Sequence, residues 1–418
     1  MVYVLNRDGK PLMPTERHGK VRRMLKEGKA KVVRREPFTI QLLYETTNYT
    51  QDITLGVDAG SKHIGLSAST EKKELLAADV ELRTDIAEKL SARREARRSR
   101  RGRKTRYRAP RFDNRRRPDG WLAPSVQHKV DCHLNRIAFV HTILPVTKIV
   151  IECAAFDTQK LNNPDIQGTE YQRGDQMGFW NVREYVLFRD GHRCFHCGKT
   201  DVPLNVHHLE SRKTGGNSPS NLITLCEECH RKYHSLSEEQ RAKWNLPKRA
   251  PSYRDAAFMG IMRWAVFGEL KEKYGDVSMT YGYITKNTRI QLGLEKSHVN
   301  DAYCIAGNLS AKPLETVLMQ RKVRRNNRQM FKANTLKGGI RKRNQAPYIV
   351  KGFRLFDKVR FRGIVCFVTG RRASGYFALR TLDGTRVHDS AKAADLVLLE
   401  LRKGYMQGRG TRQFLPAL

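Results

Sequence analysis

HRCFHCGKTDVPLNVHHLESRKTGGNSPSNLITLCEECHRKYH, residues 192–234, holds two CxxC pairs, Cys194/Cys197 and Cys226/Cys229. Two such pairs, each on a tight turn, present four thiolates to one tetrahedral zinc ion and close its shell. A structural zinc ribbon without catalysis accounts for these cysteines. It leaves over His207 and His208, then Asn221, then His230 and His234. The last two are four apart, so a helix carries them on one face, where both can grip a single ion.

The order His-His, Asn, His, three residues, His resembles the HNH, or ββα-metal, nuclease motif. That resemblance implies that His208 is the general base that activates water. It implies that His207, His230 and His234 hold a catalytic divalent ion, with the main ligand of the last two left open. Asn221 would brace the loop carrying the base. The chemistry suits these residues: a neutral imidazole takes a proton from water, and a metal stabilises charge on the phosphate and leaving oxygen.

The chain's 418 residues suffice for about two to four domains. Lys and Arg number 79 against 42 acids, a net charge of +37, which makes nucleic acid the default partner. An anionic membrane surface competes for such charge. Against it stand the lack of any run of about 18 apolar residues and of a secretory apolar region after Met1. Cys132, Cys153, Cys304 and Cys366 lie singly in apolar stretches, as buried thiols of a reducing cytoplasm do.

From Met1, VYVL is a short strand, KPLMP a stiff proline-flanked segment, GKVRRMLKEGKAK a helix with a glycine stop, and PFTIQLLYE a second strand. ITLGVDAGSKHIGLSAST and EKKELLAADVELR read as strand, turn, strand, hairpin, strand. Asp58 ends the first, which is either an ordinary turn or the first acid of an RNase H/RuvC-type site. From Thr84 the chain turns helical, with Thr84 and Asp85 placed to cap it. Residues 93–117 carry 14 Lys/Arg against two acids, among them Arg93, Arg94, Arg97, Arg98, Arg100 and Arg101. A run this dense repels itself unless a polyanion lies alongside, and Tyr107 and Phe112 offer stacking surfaces. A helix over 121–145, with Pro124 in its first turn, leads to VTKIVIECAAFD, a buried strand with Glu152 near its end. RDAAFMGIMRWAVFGELKEKYG is an apolar helix, MTYGYITKNTRIQLGL a strand and turn, and KSHVNDAYCIAG a helix start with His298 and Asp301 three apart. The flanks of the cysteine–histidine cassette, NNPDIQGTEYQRGDQ and SLSEEQRAKWNLPKRAPS, are polar and loop-like.

Residues 321–343 hold ten Lys/Arg and no acid, including Arg324, Arg325, Arg328 and Arg341. The charge thus falls in two bands, a binding track in place of generic solubility. The alternating stretch from Ala346, with an Asp383-Gly384 turn, reads as a small antiparallel barrel.

Asp58, Glu152 and His298/Asp301 occur in the order of a split RuvC site, in which carboxylates bridge two Mg2+ (or Mn2+) ions about 3.5–4 Å apart. With KPLMP (10–14), GVDAG (56–60), IECAAF (151–156), the HH…CEECHRKYH cassette and SHVNDAYC (297–304), the whole chain resembles IscB. This is the transposon-encoded RNA-guided nuclease family related to the CRISPR type II effectors. The resemblance implies an α/β fold: a split RNase H-like (RuvC) domain, an inserted ββα-metal HNH domain, an arginine-rich bridge helix and a C-terminal small β-barrel. Its expected divisions are 1–50 (PLMP domain), 51–83 (RuvC I), 84–120 (bridge helix), 121–180 (RuvC II and linker), 181–236 (HNH), 237–311 (linker and RuvC III) and 312–418 (RNA- and target-adjacent-motif contacts). It implies a guide RNA from the protein's own locus, a double-stranded DNA target and one protein chain per ribonucleoprotein. HNH would cut the guide-paired strand and RuvC the displaced one, in a prokaryotic cytoplasm and on the nucleoid when DNA is bound. Ala59 stands where relatives often carry proline; Asp58 is kept. Two other readings fit the residues: an unguided HNH/RuvC enzyme (homing-type endonuclease or junction resolvase), and a non-cleaving RNA-binding regulator.

Overall fold

The N-terminal segment forms a four-stranded sheet, β1 (Val2–Leu5), β2 (Pro11–Thr15), β3 (Ala30–Arg34) and β4 (Thr39–Leu42), in the order β2-β1-β4-β3. The helix α1 (His18–Lys26) lays Val21 and Met24 into its core. Two expectations are corrected here. Pro11–Pro14 is strand, tolerated because β2 is an edge whose missing N–H groups cost no ladder bond. Gly28, at φ +69°, ends α1 early enough for β3 to start at Ala30, inside the stretch read as helix.

The computed structural model describes residues 1–101, 120–153, 181–211, 216–246, 254–324 and 346–412, and for 87, 96–101 and 254–257 the backbone alone. It divides into two compact units, Met1–Ala154 with Ile261–Leu418, and Ala155–Gly260. In the first unit β5 (Thr54–Ala59), β6 (His63–Ser69) and β7 (Glu74–Glu81) form an antiparallel meander. The helices α2 (Ile86–Arg101) and α3 (Pro124–His141) precede β8 (Lys148–Glu152), which lies parallel beside β5.

The second unit holds α4 (Val182–Arg189), the antiparallel pair β9 (Leu204–His208) and β10 (Leu222–Cys226), α5 (Glu227–Ser235) and α6 (Glu238–Lys243). Arg189 ties α4 to the carbonyls of Pro219 and Leu222, and the buried Asp190 accepts from Thr224 N at 2.9 Å. The second flank expected as loop contains α6, started by a capping box between Ser237 and Gln240. The first flank, 162–176, lies outside the described residues.

Returning to the first unit, the chain continues through α7 (Arg254–Lys273), β11 (Val277–Thr280), α8 (Gly282–Gln291), α9 (His298–Ala306) and β12 (Thr316–Lys322). The segment read as strand and turn therefore ends in a helix, α8, despite a glycine start and β-branched residues that disfavour one. The strands β13 (Lys358–Phe361), β14 (Ile364–Arg371), β15 (Tyr376–Arg380), β16 (Arg386–Lys392) and β17 (Leu396–Glu400) make a second sheet, ordered β16-β15-β14-β13-β17 around Phe377, Val359 and Cys366. The last strand is β18 (Tyr405–Thr411), and the large sheet runs β11-β8-β5-β6-β7-β12-β18. Residues 316–322 and 405–411, assigned above to a separate C-terminal domain, are thus strands of the large sheet. Among the described residues no helix is long and apolar enough to cross a membrane. All four lone cysteines are buried.

Candidate active sites

In the second unit, the strand pair sets His207 opposite Ile223, and Cys226 caps the helix that follows. The Sγ atoms of Cys194, Cys197, Cys226 and Cys229 all lie within 4.8 Å of one another. Burial pushes the Cys194 thiol up, but the backbone N–H groups of Cys197 and Cys226 outweigh it and bring it down to about 7. Cys226 Sγ accepts from Cys229 N at the start of α5. These four donors fit tetrahedral zinc, and the set is closed.

A second cluster joins His207, His230 and His234, whose ligand nitrogens also fall within 4.8 Å of one another. His230 and His234, one turn apart on α5, bring their Nε2 atoms to 3.3 Å. His207 is buried, and its Nε2 has no hydrogen-bond partner. Burial, then the neighbouring His230 and His234, lower its pKa to about 4, so the ring is neutral as a ligand must be. An orphaned imidazole nitrogen facing two others fits a metal ion with open positions. His208 Nε2 donates to Asn217 Oδ1 (3.0 Å), the tautomer in which Nδ1 is the ring's acceptor. Asn221 staples the intervening loop. Its Oδ1 accepts from Glu210 N (2.8 Å), while Nδ2 donates to the carbonyls of Glu210 (3.1 Å) and Gly216 (3.0 Å).

In the first unit, Asp58 on β5 and Glu152 on β8 sit at neighbouring carboxyl ends of parallel strands, where α/β sheets place their sites. The helix α9 crosses the same face at very short range. A Cβ on Gly56 would lie 2.1 Å from Ala302 O, and one on Gly65 1.8 Å from His298 O, so only glycine permits this approach. Ser297 caps α9 by accepting from Asn300 N. His298 Nδ1 thereby reaches Asp58 Oδ2 at 2.5 Å, and this hydrogen bond, then the Asp58 charge, raises the His298 pKa against burial. Burial, then the charges of Asp58 and Glu152, raise the Asp301 carboxyl to about 6 despite Arg289.

The three acids do not gather their oxygens as closely as the two clusters above. Each is paired instead: Asp58 with His298, Glu152 with Arg263 Nη2 (3.1 Å), and Asp301 with Arg289 Nε (2.9 Å). Sequence reasoning missed both arginines. Arg263 stood out only as a cation inside an apolar helix, and it also donates from Nε to Ala59 O at 3.0 Å. His133 was missed as well. It is fully buried on α3, with Nδ1 on Lys129 O (2.8 Å) and Nε2 unpartnered, and burial takes its pKa down to about 4. Hard carboxylate oxygens under mutual repulsion, as read on Asp301, suit Mg2+ or Mn2+, whose charge would relieve it.

Among the basic positions, Arg93 and Arg94 are exposed on α2 and Arg324 is half-buried. The side chains of Arg97, Arg98, Arg100 and Arg101, and residues Arg325, Arg328 and Arg341, lie outside those described. Arg354, Arg371 and Arg402 surround the Tyr348 ring at 5.8, 6.0 and 5.7 Å, a cationic cluster the sequence did not reveal.

An HNH endonuclease family model matches residues 194–236, the four-cysteine cluster, strand pair and histidine helix just described. Two curated relatives are similar over most of their own length. The uncharacterized protein YisB of Bacillus subtilis (strain 168) is 31% identical over 71 residues, 17% of this chain and 70% of that protein. Anaredoxin of Nostoc sp. (strain PCC 7120) is 37% identical over 54 residues, 13% of this chain and 71% of that protein. Residues 194–236 thus form an HNH endonuclease family domain within the chain. Outside the HNH domain, an RRXRR protein family model matches residues 2–174. Among solved structures, Streptococcus thermophilus Cas9 in complex with the AGAA PAM is 14% identical, with a TM-score of 0.35, over 61% of this chain and 32% of that one. The type II-C Cas9 of Actinomyces naeslundii is 15% identical, with a TM-score of 0.16, over 46% and 29%. The HNH protein thus spans about a third of the length of those structures.

Proposed function

We propose that this protein is an RNA-guided, metal-dependent DNA endonuclease that breaks both strands of its target. The HNH site would cut the guide-paired strand and the acid site, of split RuvC type, the displaced strand. The observation that carries this reading is the His207/His230/His234 cluster, in a chain whose other unit pairs Asp58 with His298 and sets Asp58 and Glu152 on neighbouring parallel strands. Two phosphodiester-cutting sets in one molecule suit two strands.

At the HNH site His207, His230 and His234 would hold Mg2+ or Mn2+, which when bound supplies charge to the phosphate and the leaving oxygen. His208 accepts a proton from water at Nδ1 while its bond to Asn217 holds the ring. Asn221 keeps the loop behind it closed. At the acid site Asp58, Glu152 and Asp301 would hold the divalent ions, and His298 would move protons beside Asp58. Arg263 and Arg289 then have to release Glu152 and Asp301. The two basic bands follow a guide RNA from the protein's own locus, α2 serving as the bridge helix and the C-terminal sheet contacting RNA and a target-adjacent motif. Sequence choice falls to base pairing, with one protein chain per ribonucleoprotein. The test is cleavage by purified protein, with and without the RNA that co-purifies from its own locus. Cutting that follows a changed guide supports the reading, and equal cutting after RNase treatment favours an unguided nuclease.

A further inference from the structure

Where β11 ends, the chain runs Thr280-Tyr281-Gly282-Tyr283-Ile284 along the edge of the acid site. Thr280 is the register partner of Glu152, and Cys153 N donates to Thr280 O at 3.0 Å. A Cβ on Gly282 would stand 3.3 Å from Glu152 Oε1, so this backbone forms a wall of the site. The tyrosines on either side of that glycine stack on each other, with ring centroids 6.1 Å apart and 14° between planes. Both are open to solvent, Tyr281 at 49% and Tyr283 at 67%. Ile284 and Ile290 on the same helix are exposed too, while Lys286 adds a cation and Arg289 reaches Asp301.

Two aromatic rings left in water beside paired carboxylates contribute no core packing. What they offer is flat π surface next to groups suited to phosphodiester chemistry, with Lys286 in reach of a phosphate chain. We infer that Tyr281 and Tyr283 form a base-stacking platform that holds unpaired nucleotides of a single DNA strand while its backbone enters the acid site. Only an unpaired strand fits, because in a duplex each base face is already covered by its neighbours. A net charge of +37 favours a polyanion over a protein partner on this surface. The inference rests on the acid set being a nuclease site, so its test reads binding and cutting separately.

The full-length protein is titrated onto short single-stranded oligonucleotides carrying 2-aminopurine at successive positions. Tyr281→Ala/Tyr283→Ala and Tyr281→Phe/Tyr283→Phe are compared with the parent, and thermal unfolding midpoints check the fold. The platform predicts that parent and Phe forms quench the 2-aminopurine at adjacent positions and that the Ala form loses most of that quenching. It also predicts that displaced-strand cutting by the Ala form falls about tenfold, through KM, with the HNH cut unchanged. Equal quenching by the Ala form, or an equal loss of both cuts, overturns it. A parent that quenches yet never cuts the displaced strand keeps the platform and overturns the nuclease reading of the acids.

Discussion

At the scale of residues, each half of the proposed chemistry hangs on one side chain whose surroundings differ from the other's. His208 is held by Asn217 with its second nitrogen as acceptor, whereas Asp58 is buried and bound to His298. His208→Ala should leave the displaced-strand nick and reduce guide-paired cutting by about 100- to 10,000-fold, read on a strand-labelled plasmid. Asp58→Ala should do the reverse. If either change abolished both cuts while RNA binding persisted, the two-site division would be wrong. The cysteine–histidine cassette was legible as a candidate site because much of it is local: Cys226 through His234 fall within one cap and one helix. Arg263 and Arg289 were not legible, because nothing near them in sequence announces Glu152 or Asp301 as partners.

At the scale of elements, α9 lies on the sheet only because glycines face it. Gly65→Ala puts a methyl into the His298 carbonyl, so α9 must lift and carry His298 and Asp301 away from Asp58. Unfolding should show a loss of about 1–3 kcal/mol, with displaced-strand cutting gone and the HNH cut kept. A variant as stable and active as the parent would contradict the close packing. In the HNH unit, Cys226→Ala removes both a sulfur ligand and the cap of α5, which carries His230 and His234. Metal analysis should find zinc lost, and guide-paired cutting should fall with it; retained zinc would contradict the four-thiolate site. Gly60 was visible as a turn residue after the first strand, yet the seating of α9 on Gly56 and Gly65 needed the fold. The helix α8 was hidden for a related reason, since tertiary packing overrides a glycine start and β-branched residues.

At the scale of the whole molecule, +37 is far more charge than solubility needs, and the described arginines at Tyr348 and on α2 display part of it. Nucleic-acid binding should weaken steeply with salt, by about a thousandfold or more between 50 and 200 mM, in a filter-binding or anisotropy titration. A shallow salt slope would remove the phosphate track from the account. The alternation of apolar residues foretold the strands of the small sheet. It could not foretell that β12 pairs with β7 and β18 with β12 in the large sheet, because those partners lie 240 and 83–95 positions apart in sequence. The most direct measurement is strand-resolved cleavage of a DNA target by the protein with its own RNA, repeated after the guide segment is rewritten. The account predicts that both cuts, one on each strand, move together to the newly specified sequence. Cuts that stay where they were, or that survive removal of the RNA, would contradict it.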